Sequence, residues 1–173
     1  MPKSPELIQT QRLDLHLIPI PELIMLHEDP DNASLLSDRD FTNPHRELTH
    51  EHSGPLRWRV PQVKADPNTN VWFIRWIVLR ETKEVVGSIS FHAPPDEVGM
   101  IEIGFGICEP CRNQGFGKEA LLGMWTWVID QPGVETLRYT VSATNAPSMT
   151  IINSLGFTHV GQQIDEEDGP EEI

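Results

Sequence analysis

The sequence predicts a mixed α/β fold, with a mostly antiparallel central sheet and flanking helices. Three observations predict it. Between residues 71 and 108, three apolar strand-like runs are separated by short polar or proline turns, the pattern of an antiparallel meander. A glycine-rich segment then opens a stretch, Phe116 to Asp130, whose apolar residues recur at helical spacing. A strand, a helix and a last strand follow, so the second half reads as a βαβ unit.

The elements follow in order. Arg12 to Leu17 alternates apolar and polar, placing Leu13, Leu15 and Leu17 on one face of a strand. Pro19 and Pro21 punctuate; Pro21 suits the first turn of a short helix that continues from Glu22 to His27. Residues 28 to 70 are rich in Asp, Asn, Pro, His and Ser. They suggest helical pieces at Ala33 to Ser37 and His50 to Lys64, and a stretch of this kind often forms a substrate-facing lid. Val71 to Leu79 is apolar on both faces, as in a strand at the middle of a covered sheet. Glu81 to Glu84 turns the chain into Val85 to His92, and Pro94-Pro95-Asp96 turns it into Met100 to Cys108. There Ile101, Ile103, Phe105 and Ile107 share one face, and Glu102, Gly104 and Gly106 the other.

Ala120, Met124, Trp127 and Val128 mark the buried stripe of the next helix, which Pro132-Gly133 ends. Thr136 to Ser142 reads as a strand. Asn145 caps a helix running to Leu155, and Gly156 fits its left-handed closing residue. Phe157 to Ile164 is the last strand. Asp165 to Asp168 with Glu171 and Glu172 reads as an acidic, solvated turn or tail.

Length and charge narrow the function. The 173 residues suit one domain, 1–173. A net charge of -13, from 26 acidic and 13 basic residues, argues against nucleic-acid binding and fits either a cationic amine partner or simple solubility. The N-terminus lacks the apolar core of a signal peptide, and Arg75 interrupts the most apolar run, so a cytoplasmic protein without membrane attachment is expected. Cys108 and Cys111 have C-x-x-C spacing. A zinc site would want a second pair or spaced histidines, and His45, His50 and His52 lie far away in sequence, so the spacing is read as chance and no metal is expected.

The glycine loop carries the chemistry. A strand passing through glycines into a helix start offers unpaired N–H groups and partial positive charge to an anion. Gly115 and Gly117 let a phosphate approach the backbone, and Arg112 and Lys118 add charge. Glu119 stands where a P-loop needs Ser or Thr, and Gly104-Phe105-Gly106 lacks the third dinucleotide-loop glycine.

Arg112-x-x-Gly115-x-Gly117 resembles the Q/R-x-x-G-x-G/A loop of the GNAT superfamily of N-acetyltransferases. Glu102 to Ile107 followed by Pro110, and Asn145-Ala146-Pro147-Ser148 through Leu155-Gly156-Phe157, resemble its ribosomal-protein N-terminal acetyltransferase-like branch. Thr10-Gln11-Arg12-Leu13 is similar to that branch's opening strand. The resemblance implies a GNAT fold with splayed central strands and acetyl-CoA as donor. The backbone of Phe105 and Ile107 would pair with pantetheine. The amides of Arg112, Asn113, Gln114, Gly115, Phe116, Gly117 and Lys118 would hold pyrophosphate, and Asn145 would reach the pantetheine arm. It implies a primary amine acceptor, on a protein N-terminus or a small molecule, acetylated by direct attack. A non-catalytic acyl-CoA-binding module on the same fold is the alternative.

The resemblance also assigns the proton chemistry. Glu102 resembles the glutamate proposed as base, and it is alternatively a structural carboxylate paired with Arg75 or Arg138. The family's usual tyrosine acid is replaced here by Ile152, while Ser148 occupies a serine position given that role in the resembled branch. As a first-turn hydroxyl, Ser148 also suits helix capping. His92 is a further candidate base or a plain surface histidine. The family ends in a strand hairpin. This chain stops just past Gly169-Pro170, so the final strand is either missing or supplied otherwise. An unpaired edge at Phe157 to Ile164 would favour a homodimer over a monomer.

Overall fold

The computed structural model describes residues 6–49 and 54–173. The chain opens with β1 (Leu7–Gln9) and β2 (Leu13–Leu17), joined by a tight turn, and then α1 (Ile20–Glu28). Pro21 lies in the first turn of α1, where its missing N–H costs nothing. Next come α2 (Gly54–Ala65), β3 (Arg75–Leu79), β4 (Glu84–Phe91) and β5 (Met100–Ile107). The chain ends with α3 (Phe116–Val128), β6 (Thr136–Arg138), α4 (Ala146–Ser154), β7 (Gln162–Asp165) and β8 (Gly169–Glu172).

Strands β1 to β6 form one sheet in sequence order, antiparallel except that β6 lies parallel to β5. The predicted α/β class and the strand–loop–helix–strand unit are both present. The predicted apolar stripe of α3 buries Ala120, Met124 and Val128 completely. β3 is covered on both faces, with Trp76 and Ile77 wholly buried.

Several segments differ from the sequence-based expectation. Only Arg75–Leu79 of the Val71 to Leu79 run is strand. Pro67–Trp72 instead forms a 3₁₀ helix, because the Asp66 side chain caps it at Asn68 N and Pro67 fixes its first φ. Ala33 to Ser37 makes successive turns, broken by a positive φ of 62° at Leu36. The helix expected from His50 begins at Gly54 within the described residues; residues 50–53 lie outside them.

Thr136 to Ser142 pairs with β5 only as far as Arg138. Phe157 to Ile164 contributes just its end to β7. The final strand is present: β8 pairs antiparallel with β7, so Glu171 and Glu172 are strand residues rather than a tail, and Asp165 to Asp168 turn the hairpin. The Asp165 carboxylate caps that turn by accepting from the N–H groups of Glu167 and Asp168, 2.8 and 2.9 Å away.

The position of β8 explains the shape of the sheet's far edge. Val141 and Glu172 exchange two backbone hydrogen bonds of 3.0 and 2.7 Å. After Arg138 the chain therefore leaves β5 and joins β8, and the two parallel strands diverge.

Candidate active site

The divergence gives β5 one paired edge and one open edge. Glu102 O accepts from His92 N, and Cys108 N donates to Val86 O, so the even residues of β5 turn their amides to β4. The odd residues Ile103, Phe105 and Ile107 turn theirs the other way. Only residues 100–102 meet β6 on that side. Of these outward groups, the Ile107 carbonyl accepts from Arg112 Nε at 2.9 Å.

β5 runs directly into the loop. A 3₁₀ turn at Glu109–Cys111 precedes Arg112, and Asn113 and Gly115 both have positive φ, 62° and 81°. Gly115 is the N-cap of α3 and supplies no side-chain cap to the helix amides. At Gly117 a Cβ would come within 2.6 Å of the Phe105 ring, so only glycine lets α3 start this close to β5. The loop is tied to the β1–β2 turn: Glu119 accepts from Thr10 Oγ1 at 2.6 Å, Arg12 N at 2.7 Å and Arg12 Nε at 2.7 Å. Arg12 Nη1 also reaches Gln114 O at 2.9 Å, and its guanidinium lies over the Phe116 ring. Burial raises the Glu119 pKa, but these hydrogen bonds outweigh it and hold the carboxyl below its usual value. Glycines and bare helix amides of this kind make a cradle that fits a pyrophosphate.

Two clefts meet across β5. One of about 730 Å³ lies between α2 and the β7–β8 turn, and the Arg57–Glu167 ion pair bridges those two walls. It contains Glu102. The other, about 360 Å³, lies in the divergence, and both Asn145 and Ser148 line it. Asn145 Oδ1 accepts from Ser148 N at 3.2 Å, so this side chain is the predicted cap.

Glu102 faces the first cleft as the strand alternation requires. Its Oε1 accepts from Thr140 Oγ1, and its Oε2 lies 3.6 Å from Arg138 Nε, the partner considered from sequence. His92 Nδ1 lies 3.8 Å from Glu102 Oε1. Burial pulls the His92 pKa below its usual value; Glu102 and Asp165 oppose that, while Arg59 and Arg138 add to it. Burial also draws Arg59 down to about 10, which leaves it charged at neutral pH.

From the sequence, Tyr139 received no role. In the structure it lines the divergence cleft together with Ser148, and burial raises the pKa of its phenol against the lowering effect of Ser148. Thr140 was missed as well. Continued alternation through residues 136–142, with the register of the parallel pair, would have placed Tyr139 and Thr140 on opposite faces beside β5. The structure also brings Cys111 to 3.4 Å from His45 Nε2 and Cys108 to 3.3 Å from Glu47 Oε2. Burial and Glu47 push the Cys108 thiol up to about 12, which keeps it protonated and a poor nucleophile.

Among the described residues no helix is long and apolar enough to cross a membrane. Residues 23–158 match the sequence profile of the acetyltransferase (GNAT) domain. Over 162 residues the chain is 29% identical to YjdG, an uncharacterized N-acetyltransferase of Bacillus subtilis (strain 168), spanning 87% of this chain and 89% of that protein. Its fold is similar to RimL, a ribosomal L7/L12 alpha-N-protein acetyltransferase solved in complex with coenzyme A, with a TM-score of 0.64 at 17% identity over 96% of this chain and 95% of that one. It is also similar to the microcin C7 self-immunity acetyltransferase MccE, solved with acetyl-CoA and AMP, with a TM-score of 0.62 at 15% identity over 94% and 90% of the two chains. The chain belongs to the GNAT family of acetyltransferases.

Proposed function

We propose that this acetyltransferase moves an acetyl group from acetyl-CoA to a primary amine of an acceptor that carries a second, positive group, on a protein N-terminus or a small molecule. The observation that carries the reading is the divergence of β5 from β6. It leaves the backbone of Phe105, beside the divergence cleft, and the Ile107 N–H on the open edge of the strand that runs into the α3 cradle. An extended pantetheine fits such an edge as a strand would. The amides from Arg112 to Lys118 hold the pyrophosphate, and Asn145 lies beside the pantetheine arm.

The acceptor enters from the other cleft. Glu47, Glu102, Asp165, Glu166 and Asp168 line it; Arg57 is paired with Glu167, and Arg59 donates to Gln62. That balance draws in a cation. The amine attacks the thioester carbon directly. Glu102 serves the amine side, either directly or through a neighbour, and Ser148 serves the departing sulfur as acid. No cysteine nucleophile is required.

A coenzyme A-release assay over a panel of amines and N-terminal peptides tests this. Release is expected with acceptors bearing a second positive charge, and neutral acceptors are expected to be slower. Binding of acetyl-CoA without release for any acceptor would refute the enzyme reading and leave the non-catalytic module.

A further inference from the structure

We propose that His92 is the catalytic residue that takes the proton from the attacking amine, with Glu102 acting through it. The proposal rests on the acetyl-transfer reading and assigns work inside that site. Its basis is position. The amine comes from the acceptor cleft and the thioester lies in the divergence cleft, so the proton acceptor has to face both. Glu102 lines only the first, and Ser148 only the second. His92 lines both, as do Gly104 and Thr140 between them.

His92 is held at that junction. Its backbone N–H bonds to Glu102 O at 2.9 Å, and its carbonyl accepts from Gln62 Nε2 at 3.1 Å. The ring lies across Gly104, where a Cβ would come within 2.8 Å of His92 Nε2. Nδ1 faces the Glu102 carboxylate at 3.8 Å, an electrostatic contact longer than a hydrogen bond. That carboxylate favours the tautomer with its proton on Nδ1, leaving the Nε2 lone pair over Gly104. The side chain keeps 45% exposure through the open cleft, so an amine can reach it. Glu102 is less available, since Thr140 and Arg138 already engage its two oxygens. Asp168 and Glu171 also line both clefts, but they sit on the hairpin, and a carboxylate is a weaker base than an imidazole.

The step balances simply. The amine nitrogen forms the C–N bond and the C–S bond breaks. The proton lost by nitrogen moves to Nε2, and the thiolate takes one from the Ser148 side. The charged groups facing His92 are Glu102 on β5, Arg59 on α2, Arg138 on β6 and Asp165 on β7. Neutral imidazole is the active form, so the rate falls as pH drops through the His92 pKa.

The test compares wild type with His92→Gln in the release assay across pH, with acetyl-CoA affinity measured in parallel. Loss of about 100-fold in kcat is expected, with the donor Kd within about twofold and the low-pH limb gone. Added imidazole should restore part of the rate in His92→Ala. Should these variants fail to fold, the low-pH limb in two neighbour variants still decides. Glu102→Gln should move it to lower pH and Arg138→Gln to higher pH. An unchanged rate and limb in His92→Gln, or a limb that neither neighbour moves, overturns the proposal alone. Wild type that binds acetyl-CoA yet releases no thiol overturns the acetyl-transfer reading beneath it.

Discussion

The helices α3 and α4 follow the two strands that diverge, yet they are built differently. α3 buries seven of its thirteen residues, among them Leu121 and Met124 at full burial. α4 buries none of its nine. Its apolar residues Met149, Ile151 and Ile152 only lean on the core. The C-terminal hairpin behind it is fastened by the Val141–Glu172 bridge, the Arg138–Gln163 hydrogen bond and the Arg57–Glu167 pair. Helix α3 is thus part of the hydrophobic core, while the C-terminal hairpin is attached by polar contacts. With fewer buried apolar side chains, α4 and the hairpin are the parts that open locally at lower cost.

The sharpest way to break this contrast is to truncate both helices. Leu121→Ala should cost about 3 kcal/mol or more in denaturant unfolding, as full burial with a residual cavity implies. Ile152→Ala, partly exposed, should cost about 1 kcal/mol. Equal losses would mean that α4 is as integral as α3.

Next in size is Gly115→Glu. Its positive φ and its place at the helix start make it intolerant of a side chain and, where an anion is to bind, of a negative charge above all. Acetyl-CoA affinity by calorimetry should fall at least about 100-fold, about 2.7 kcal/mol. Undiminished affinity would remove the cradle from the donor side.

The smallest effect concerns the tie between the cradle and the β1–β2 turn. Glu119→Gln should lose about 1–2 kcal/mol at pH 7, a figure kept low because Arg12 is partly exposed. The Glu119 pKa is depressed in the fold, so its contribution is complete above the unfolded value of about 4.3 and fades as pH falls through the folded pKa. The variant should therefore converge on wild type in acid. A gap that persists at low pH would assign the loss to packing.

Much of this was legible in the sequence because it is local. Alternation put Glu102 on the face of Gly104 and Gly106, helical spacing found the stripe of α3, and Asn145 and Gly156 marked the ends of α4 through a side-chain cap and a left-handed backbone. What escaped depends on long-range register. Thr140 was missed, and His92 and Arg138 were candidates without a placement; all three meet Glu102 only because β4 and β6 flank β5 in one particular alignment. β8 was read as a tail because Gly169-Pro170-Glu171-Glu172 has little strand propensity; its pairing with β7 and Val141 supplies what propensity does not. Val71 and Trp72 looked like strand for the opposite reason, since their apolar character suits either geometry and the Asp66 cap decides.

The parting of β5 and β6 has a thermodynamic consequence. A donor lying along that edge would draw on the same free energy that holds the sheet together, so folding and saturation become linked equilibria. At 100 times its dissociation constant, such a ligand adds about 2.7 kcal/mol to the unfolding free energy. Survival of the chain against heat and proteolysis would then follow the supply of acyl donor, making abundance of the enzyme a readout of the metabolite it consumes.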